Sequence, residues 1–545
     1  MPFWKSRYSH KGNMSNKEIK PKNDKKFKKK TSKLTDGQPK NTRDKEHMAM
    51  ESSLEARLNW YQDQLKASSD IIYREFSLSS GHKCTLIYVR AMVSQTSIQD
   101  FIIKSLQEAA DEQTHGDIYQ YLFEDNGLSV SSSTVIRDLN KGLKAIFEEG
   151  ALLLIDGDER MMSLSISSYP KRSIVEAPNE SVIRGPREAF IEDLETNIAL
   201  MRKRIKSKDF KTEAVIIGER TQTEVVIAYI EGICKPDVLN EVKRRLSYIE
   251  IDGVLESSFL EEAIEDNPYS PFPQIQYSER PDVITAAMLE GRVSIFVDGT
   301  PITLIVPVTL FMLLQSAEDY YQRFVAATWI RWIRYALLSI SLLLPSLYIA
   351  ITTFHPEMIP SQLLLTLAAA RETVPFPALL EAFMMEIAFE ALREASVRIP
   401  KSIGQAVSII GALVIGTAAV QAGIVSAAMV IIVSLTGIAS FIIPSFDLGL
   451  AFRLLRFPVM LLASIFGLFG IAVGIILIYI HLVSLKSFGQ PYLSPIAPWV
   501  SEDIADTLIR VPWWKMHKRP VYATNNITRQ KSNSRGWEKE KSDLK

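Results

Sequence analysis

Forty-one consecutive residues, Ile403–Ile443, carry no charged side chain, and this run constrains the fold more than anything else in the chain. At about 20 residues per crossing the block holds two membrane helices, expected at about 403–420 and 424–443. Gln421-Ala-Gly423 supplies the turn between them. Gly404, Gly411, Ala412, Gly416 and Ala418 are small enough to let helices approach closely. Upstream, Ala336–Phe354 is uncharged for nineteen residues and gives a span at about 333–354. Trp329, Arg331, Trp332 and Arg334 flank its N-terminal end as an aromatic and basic membrane anchor, which puts that end on the cytoplasmic side. Downstream, Phe457–Leu485 supplies a span at about 457–482, with Gly467, Gly470 and Gly474 as packing notches.

Between these spans lies an awkward stretch, Arg371–Lys401, which carries Glu381, Glu386, Glu390 and Glu394. A carboxylate at mid-bilayer costs roughly 2.5–3.5 kcal/mol even on lenient insertion scales. Glu386, Glu390 and Glu394 recur every four residues and so share one helical face, with Glu381 well off it. Three readings follow for a helix over 374–393. It lies amphipathically at the interface. It pairs its carboxylates with Arg393 or Arg398. Or it crosses in a symmetric oligomer, where those three residues line a pore as carboxylate rings. Crossing puts Arg393, Arg398, Lys401, Arg453 and Arg456 on the cytoplasmic side and the C-terminal tail outside. Without it, the tail returns inside.

The first half reads as soluble. Thr85–Val93 is a β-branched run followed by a helical pattern, and about 140 residues later Val225–Ile233 repeats the arrangement. Glu149–Gly157 leads into Met161–Ile166, and Glu290–Gly299 into Ile302–Val306. In both, an Asp-Gly pair joins two strands, because glycine supplies the positive φ of a tight turn. Two related subdomains are expected, over 51–170 and 210–323, with a helical connector at 171–209 that includes Arg187–Lys206.

Formal net charge is zero, yet residues 1–50 hold fifteen Lys/Arg against five Asp/Glu. Without apolar periodicity they form a disordered basic tail. It is either attracted to anionic lipid or simply solvated, and no nucleic acid is expected. No apolar run opens the chain, so the first half is expected to stay unexported. Residues 487–545 read as a polar tail. Cys84 and Cys234 are expected as buried free thiols. Phosphate-loop, dinucleotide and zinc-helix motifs are absent from the sequence, so neither enzyme activity nor a cofactor is expected. The fold class is α+β/α: two related α/β soluble subdomains followed by an α-helical multi-pass membrane domain over 324–486.

Asp298-Gly-Thr-Pro301 leading to Gln315-Ser-Ala-Glu-Asp-Tyr-Tyr-Gln-Arg323 resembles the A subunits of GerA-type spore germinant receptors. So does Arg371-Glu-Thr-Val-Pro-Phe-Pro-Ala-Leu-Leu-Glu381, continuing through Met385-Glu386, Phe389-Glu390 and Leu392-Arg-Glu-Ala395 to Arg398-Ile-Pro400. The resemblance runs from about residue 70 to about 500. This chain has Thr373 and Ser396 where the family pattern usually has glycine. The resemblance implies a multi-pass protein of the spore inner membrane with its N-terminal domain on the core side. It implies a transporter-like B subunit that senses the nutrient and a lipoprotein C subunit as partners. It further implies a homo-oligomer acting as a nutrient-gated cation channel. A non-conducting membrane scaffold is the alternative. A secondary transporter fits less well, since no inverted repeat is visible.

Overall fold

The computed structural model describes residues 53–111, 118–125, 127–128, 130, 132–148, 150–166, 180, 182–398, 416–522, 524 and 528–529. The basic tail at 1–50, most of the expected span at 403–420, Gly404 and Gly411 lie outside the described residues.

The N-terminal half contains two five-stranded antiparallel sheets. The first is built from β1 (Ile71–Ser77), β2 (Lys83–Val89), β3 (Ser133–Ile136), β4 (Gly150–Ile155) and β5 (Met161–Ser165). The second is built from β6 (Phe210–Ile217), β7 (Thr223–Ile230), β8 (Gln276–Ser278), β9 (Val293–Val297) and β10 (Thr303–Val306). Their orders are β1-β2-β4-β5-β3 and β6-β7-β9-β10-β8, the same order twice. Gly157 and Gly299, at φ 84° and 86°, turn the chain between the paired strands at the two Asp-Gly positions.

Strand β7 shows how sequence sets the packing. Val225, Ile227 and Tyr229 face the helix Pro236–Leu246, while Val226, Ala228 and Ile230 face helix α1 (Leu194–Arg204), as the period of two requires. Cys84 is buried in β2, whereas Cys234 falls just beyond β7 and is half-buried. The two sheets are locked through α1. Arg202 donates to both carboxylate oxygens of Asp70, at 2.6 and 2.8 Å, and the Thr212 hydroxyl donates to the same Asp70 at 2.7 Å.

The second half is helical: α2 (Phe324–Phe354), α3 (Ser361–Glu372), α4 (Ala378–Arg398), α5 (Ala427–Ser440) and α6 (Phe446–Ser484). By length and composition, α2 and α6 are apolar enough to cross a membrane. Tyr348, near the end of α2, packs with Ala378 and Ala382 of α4 and with Val425 and Met429 before and within α5. At the other end Arg393 of α4 bonds Ser440 of α5. Both helices therefore run antiparallel to α2, back toward the sheets.

The sequence suggests a single span over 457–482, whereas the helix observed there is broken in two. Helix α6 breaks at Gly467, where φ is 61° and ψ −139°. A Cβ on Gly470 would lie 2.0 Å from the Leu462 carbonyl oxygen, and one on Gly474 3.3 Å from Val459. Residues so far apart along a helix meet only if the two arms fold back on each other. Phe452 on the first arm and His481 on the second both stack against Phe272 of the second subdomain, at 5.6 and 6.0 Å. The tip at Gly467 sits beside Phe354 and His355. Gly467 is thus the hairpin corner, and Gly470 and Gly474 are where its arms touch.

The chain then returns to the sheets. The Ser487 hydroxyl donates to the Gln274 carbonyl at 2.7 Å and accepts from the Val308 amide at 3.0 Å. The short helix α7 (Ser501–Thr507) packs against the start of α2. The expected polar tail from 487 to 522 is in large part a packed element.

Candidate functional site

Two groups of buried charge link the parts of the chain. The first sits where the second subdomain meets α2. Asp319 is buried and takes Arg331 Nε at 3.1 Å, Arg334 Nη1 at 2.9 Å and Arg334 Nη2 at 3.2 Å. Arg331 also bonds the carbonyl of Asp506 and lies 3.3 Å from its carboxylate, which accepts the Tyr320 hydroxyl at 2.8 Å. Arg334 additionally donates to the Leu314 carbonyl at 2.7 Å. Burial pushes the Asp506 carboxyl above its usual range, and Arg331 opposes that push. Of the four anchor residues, the arginines turn inward into this clamp while Trp329 and Trp332 stay exposed. Asp319 and Asp506 were not singled out by sequence reasoning. Asp319 lies within the Glu318-Asp319-Tyr320-Tyr321 motif, but nothing local marks Asp506.

The second group is a ladder inside the helical bundle. Pro345 has no N–H, so the Ser341 carbonyl one turn earlier loses its helical donor. Arg456 Nε fills that vacancy at 2.8 Å, and the same guanidinium pairs with the buried carboxylate of Glu386. One turn along α4, Glu390 takes Arg393 Nη1 at 2.9 Å and lies 3.7 Å from Arg453 Nε. Arg393 lies over the Phe441 ring at 4.6 Å and bonds Ser440, which fixes the end of α5. Glu394, the next in the stripe, is exposed.

Glu381, off the stripe, is fully buried and serves the opposite end of α5. Its Oε2 accepts from the Ser426 amide at 3.0 Å and the Ser426 hydroxyl at 2.9 Å, while its Oε1 lies 3.5 Å from Arg371 Nε. Ser426 is the N-cap of α5, so a carboxylate stands where the helix dipole favours one. The four glutamates therefore have three environments: a helix-cap brace (Glu381), an arginine-paired ladder (Glu386 and Glu390) and an outward face (Glu394).

The model of the family described as Bacillus/Clostridium GerA spore germination protein matches residues 59–522. The chain belongs to the GerA family. It is 45% identical over 460 residues to spore germination protein KA of Bacillus subtilis (strain 168), covering 84% of each chain. Identity to spore germination protein B1 of the same organism is 38% over 478 residues, covering 87% of this chain and 98% of the relative. Identity to the B. subtilis membrane protein YfkQ is 47% over 463 residues, covering 84% and 89%. The crystal structure of the N-terminal domain of the A subunit of the Bacillus megaterium germinant receptor GerK3 matches with 32% identity and a TM-score of 0.38. That match covers 47% of this GerA chain and 96% of the other.

Proposed function

We propose that this GerA chain is the A subunit of a nutrient receptor that starts spore germination, held in the spore inner membrane by several crossings. In this reading α2, α4, the span expected at about 403–420, α5 and the two arms of α6 cross, an even number of passes, so the sheets and C-terminal segment share the core side. Copies assemble around a cation path, beside a transporter-like subunit that senses the nutrient and a lipoprotein subunit. The reading rests above all on the family relationship, and the clamp of Asp319, Arg331, Arg334 and Asp506 gives it a mechanism. Two buried arginines of α2 are held by Asp319, at the end of the second subdomain, and by Asp506 of the C-terminal segment, so a displacement of the sheets carries the helix with it. A partner that binds nutrient would then shift the balance of closed and open states through that grip.

Within this reading the ladder divides the labour. Glu386 and Glu390 are neutralised by Arg456, Arg393 and Arg453 and hold the bundle together. Glu394 is the exposed carboxylate and the one placed to form a ring in a symmetric assembly. Spores carrying Glu394→Gln should assemble normal receptor levels and release cations several-fold more slowly, whereas Glu386→Gln should lower receptor levels. Normal release from Glu394→Gln spores would sink the carboxylate-ring reading.

Arginine pairing of the ladder also suits a second reading, a non-conducting scaffold whose helices only anchor the sheets. Nutrient-dependent cation flux across liposomes carrying the complete receptor separates the two. In a conducting subunit Glu394→Gln changes the flux, and in a scaffold it does not.

A further inference from the structure

We propose that residues 508–518 form a collar that lies on the membrane surface and takes anionic lipid headgroups. The proposal rests on the reading that α2 crosses a bilayer. The segment runs antiparallel to the first three turns of α2. Trp332 Nε1 donates to the Leu508 carbonyl at 2.9 Å, the Arg510 amide donates to the Thr328 hydroxyl at 3.2 Å, and Trp514 stacks edge-on against Phe324 at 5.9 Å. This pairing widens a single helix face into a belt. Val325, Trp329, Trp332 and Ile333 are exposed on α2, and Leu508, Ile509 and Trp513 are exposed beside them. Trp329 is 62% exposed, Trp332 49%, Ile509 51% and Trp513 45%, far more than side chains of this kind show when a chain packs them.

Depth along α2 identifies the occupant. The uncharged stretch Ala336–Phe354 spans nineteen residues. At 1.5 Å per residue that is about 28 Å, close to the hydrocarbon thickness of about 30 Å. The hydrocarbon edge then falls near Tyr335, and the next ~5–7 Å toward the sheets is the headgroup layer. Trp332 and Leu508 lie in that layer and Trp329, about 9 Å from Tyr335, at its outer rim, while Trp513, next to the Trp514 that meets Phe324, stands above it on the aqueous side. Tryptophan is favoured there because its ring is apolar and its N–H is wet. Lys515 and Lys518 are exposed farther out on the aqueous side, where the field of an anionic leaflet attracts cations over about a Debye length. An aqueous protein partner would account for the apolar belt, but not for its register with the uncharged stretch of α2.

The test uses full-length protein with Cys84→Ala and Cys234→Ser, reconstituted in nanodiscs and carrying one fluorophore-labelled cysteine at a time. The labels sit at Ile509, at Ile476 on the exposed side of α6, and at Tyr269, which is 97% exposed on the second subdomain. Quenching by headgroup-labelled lipid should be several-fold stronger at 509 than at 269. It should fall when phosphatidylglycerol is replaced by phosphatidylcholine, and Lys515→Gln/Lys518→Gln should remove that lipid dependence. A label at 509 that behaves like 269 overturns the collar. So does one shielded from both lipid and aqueous quenchers, because a second copy or another protein then covers the belt. If the label at 476 is not quenched by chain-labelled lipid, the crossing reading itself fails. If 476 is quenched and 509 is not, only the collar fails.

Discussion

Arg456 holds the backbone carbonyl of Ser341 at 2.8 Å, across the bundle and 115 residues away in sequence. Pro345 creates that acceptor, and Glu386 neutralises the cation that fills it. Removing Arg456 therefore orphans two buried groups at once. Arg456→Gln should cost about 3–5 kcal/mol, the usual range for breaking a buried pair. The double variant Arg456→Gln/Glu386→Gln should recover part of that loss. Thermal unfolding of the purified chain in detergent measures both. An additive double variant would show that the pair contributes no coupling.

Glycine substitutions should sort by what a methyl group meets. Gly470→Ala places a carbon 2.0 Å from the Leu462 carbonyl oxygen, so the arms of α6 must separate. Gly467→Ala strains a φ of 61° and also crowds Phe354. Gly437→Ala in α5 meets nothing within 4 Å and removes helix-interior glycine, worth roughly 0.8–1 kcal/mol in favour of alanine. Membrane-fraction yields should fall strongly for the first two and hold or rise for the third.

The clamp predicts a separable defect. Asp319→Asn leaves Arg331 and Arg334 buried without the carboxylate they share, at a cost of about 3–5 kcal/mol. The loss is local to the start of α2. Limited trypsin digestion should therefore cut faster at Arg510, Lys515 or Lys518 in this variant, while β-sheet circular dichroism of the whole chain stays unchanged. Unaltered cleavage would mean that the C-terminal segment is held by other contacts.

Glu261 on the helix Ser257–Ile264 should make stability depend on pH. Burial is the main cause that pushes its carboxyl up to about 8, with Glu265, Asp447 and Glu256 adding repulsion. The folded chain keeps this proton after the unfolded chain has lost it. The stabilisation is therefore present in full below the ordinary glutamate range and is lost as pH rises toward about 8. Glu261→Gln should flatten the decline in melting temperature between pH 5 and 8 in the full-length protein. An unchanged slope would place the titrating group elsewhere.

What the sequence made legible follows from range. The duplicated sheets could be read because each repeat announces itself locally, through β-branched runs and Asp-Gly turns about 140 residues apart. Glu390 with Arg393 was also within reach, three residues apart on one helix. Arg456 as the partner of Glu386 was not, because the pair is 70 residues apart and the deciding acceptor is a carbonyl freed by a proline on a third helix. The corner at Gly467 was hidden for a different reason. Hydrophobicity runs through it without a polar break, so composition favours one long helix where the backbone makes two. The C-terminal segment looked like a tail because its partners, Thr328, Arg331 and Trp332, lie about 175 residues upstream.

The pair of Asp70 and Arg202 has a mechanical consequence. With α1 packed on the second sheet and bonded to Asp70 beside the first, a push on one sheet is passed to the other at that joint. In the proposed receptor, a partner that presses on the first sheet moves the second sheet with it, and the displacement reaches α2 through Asp319.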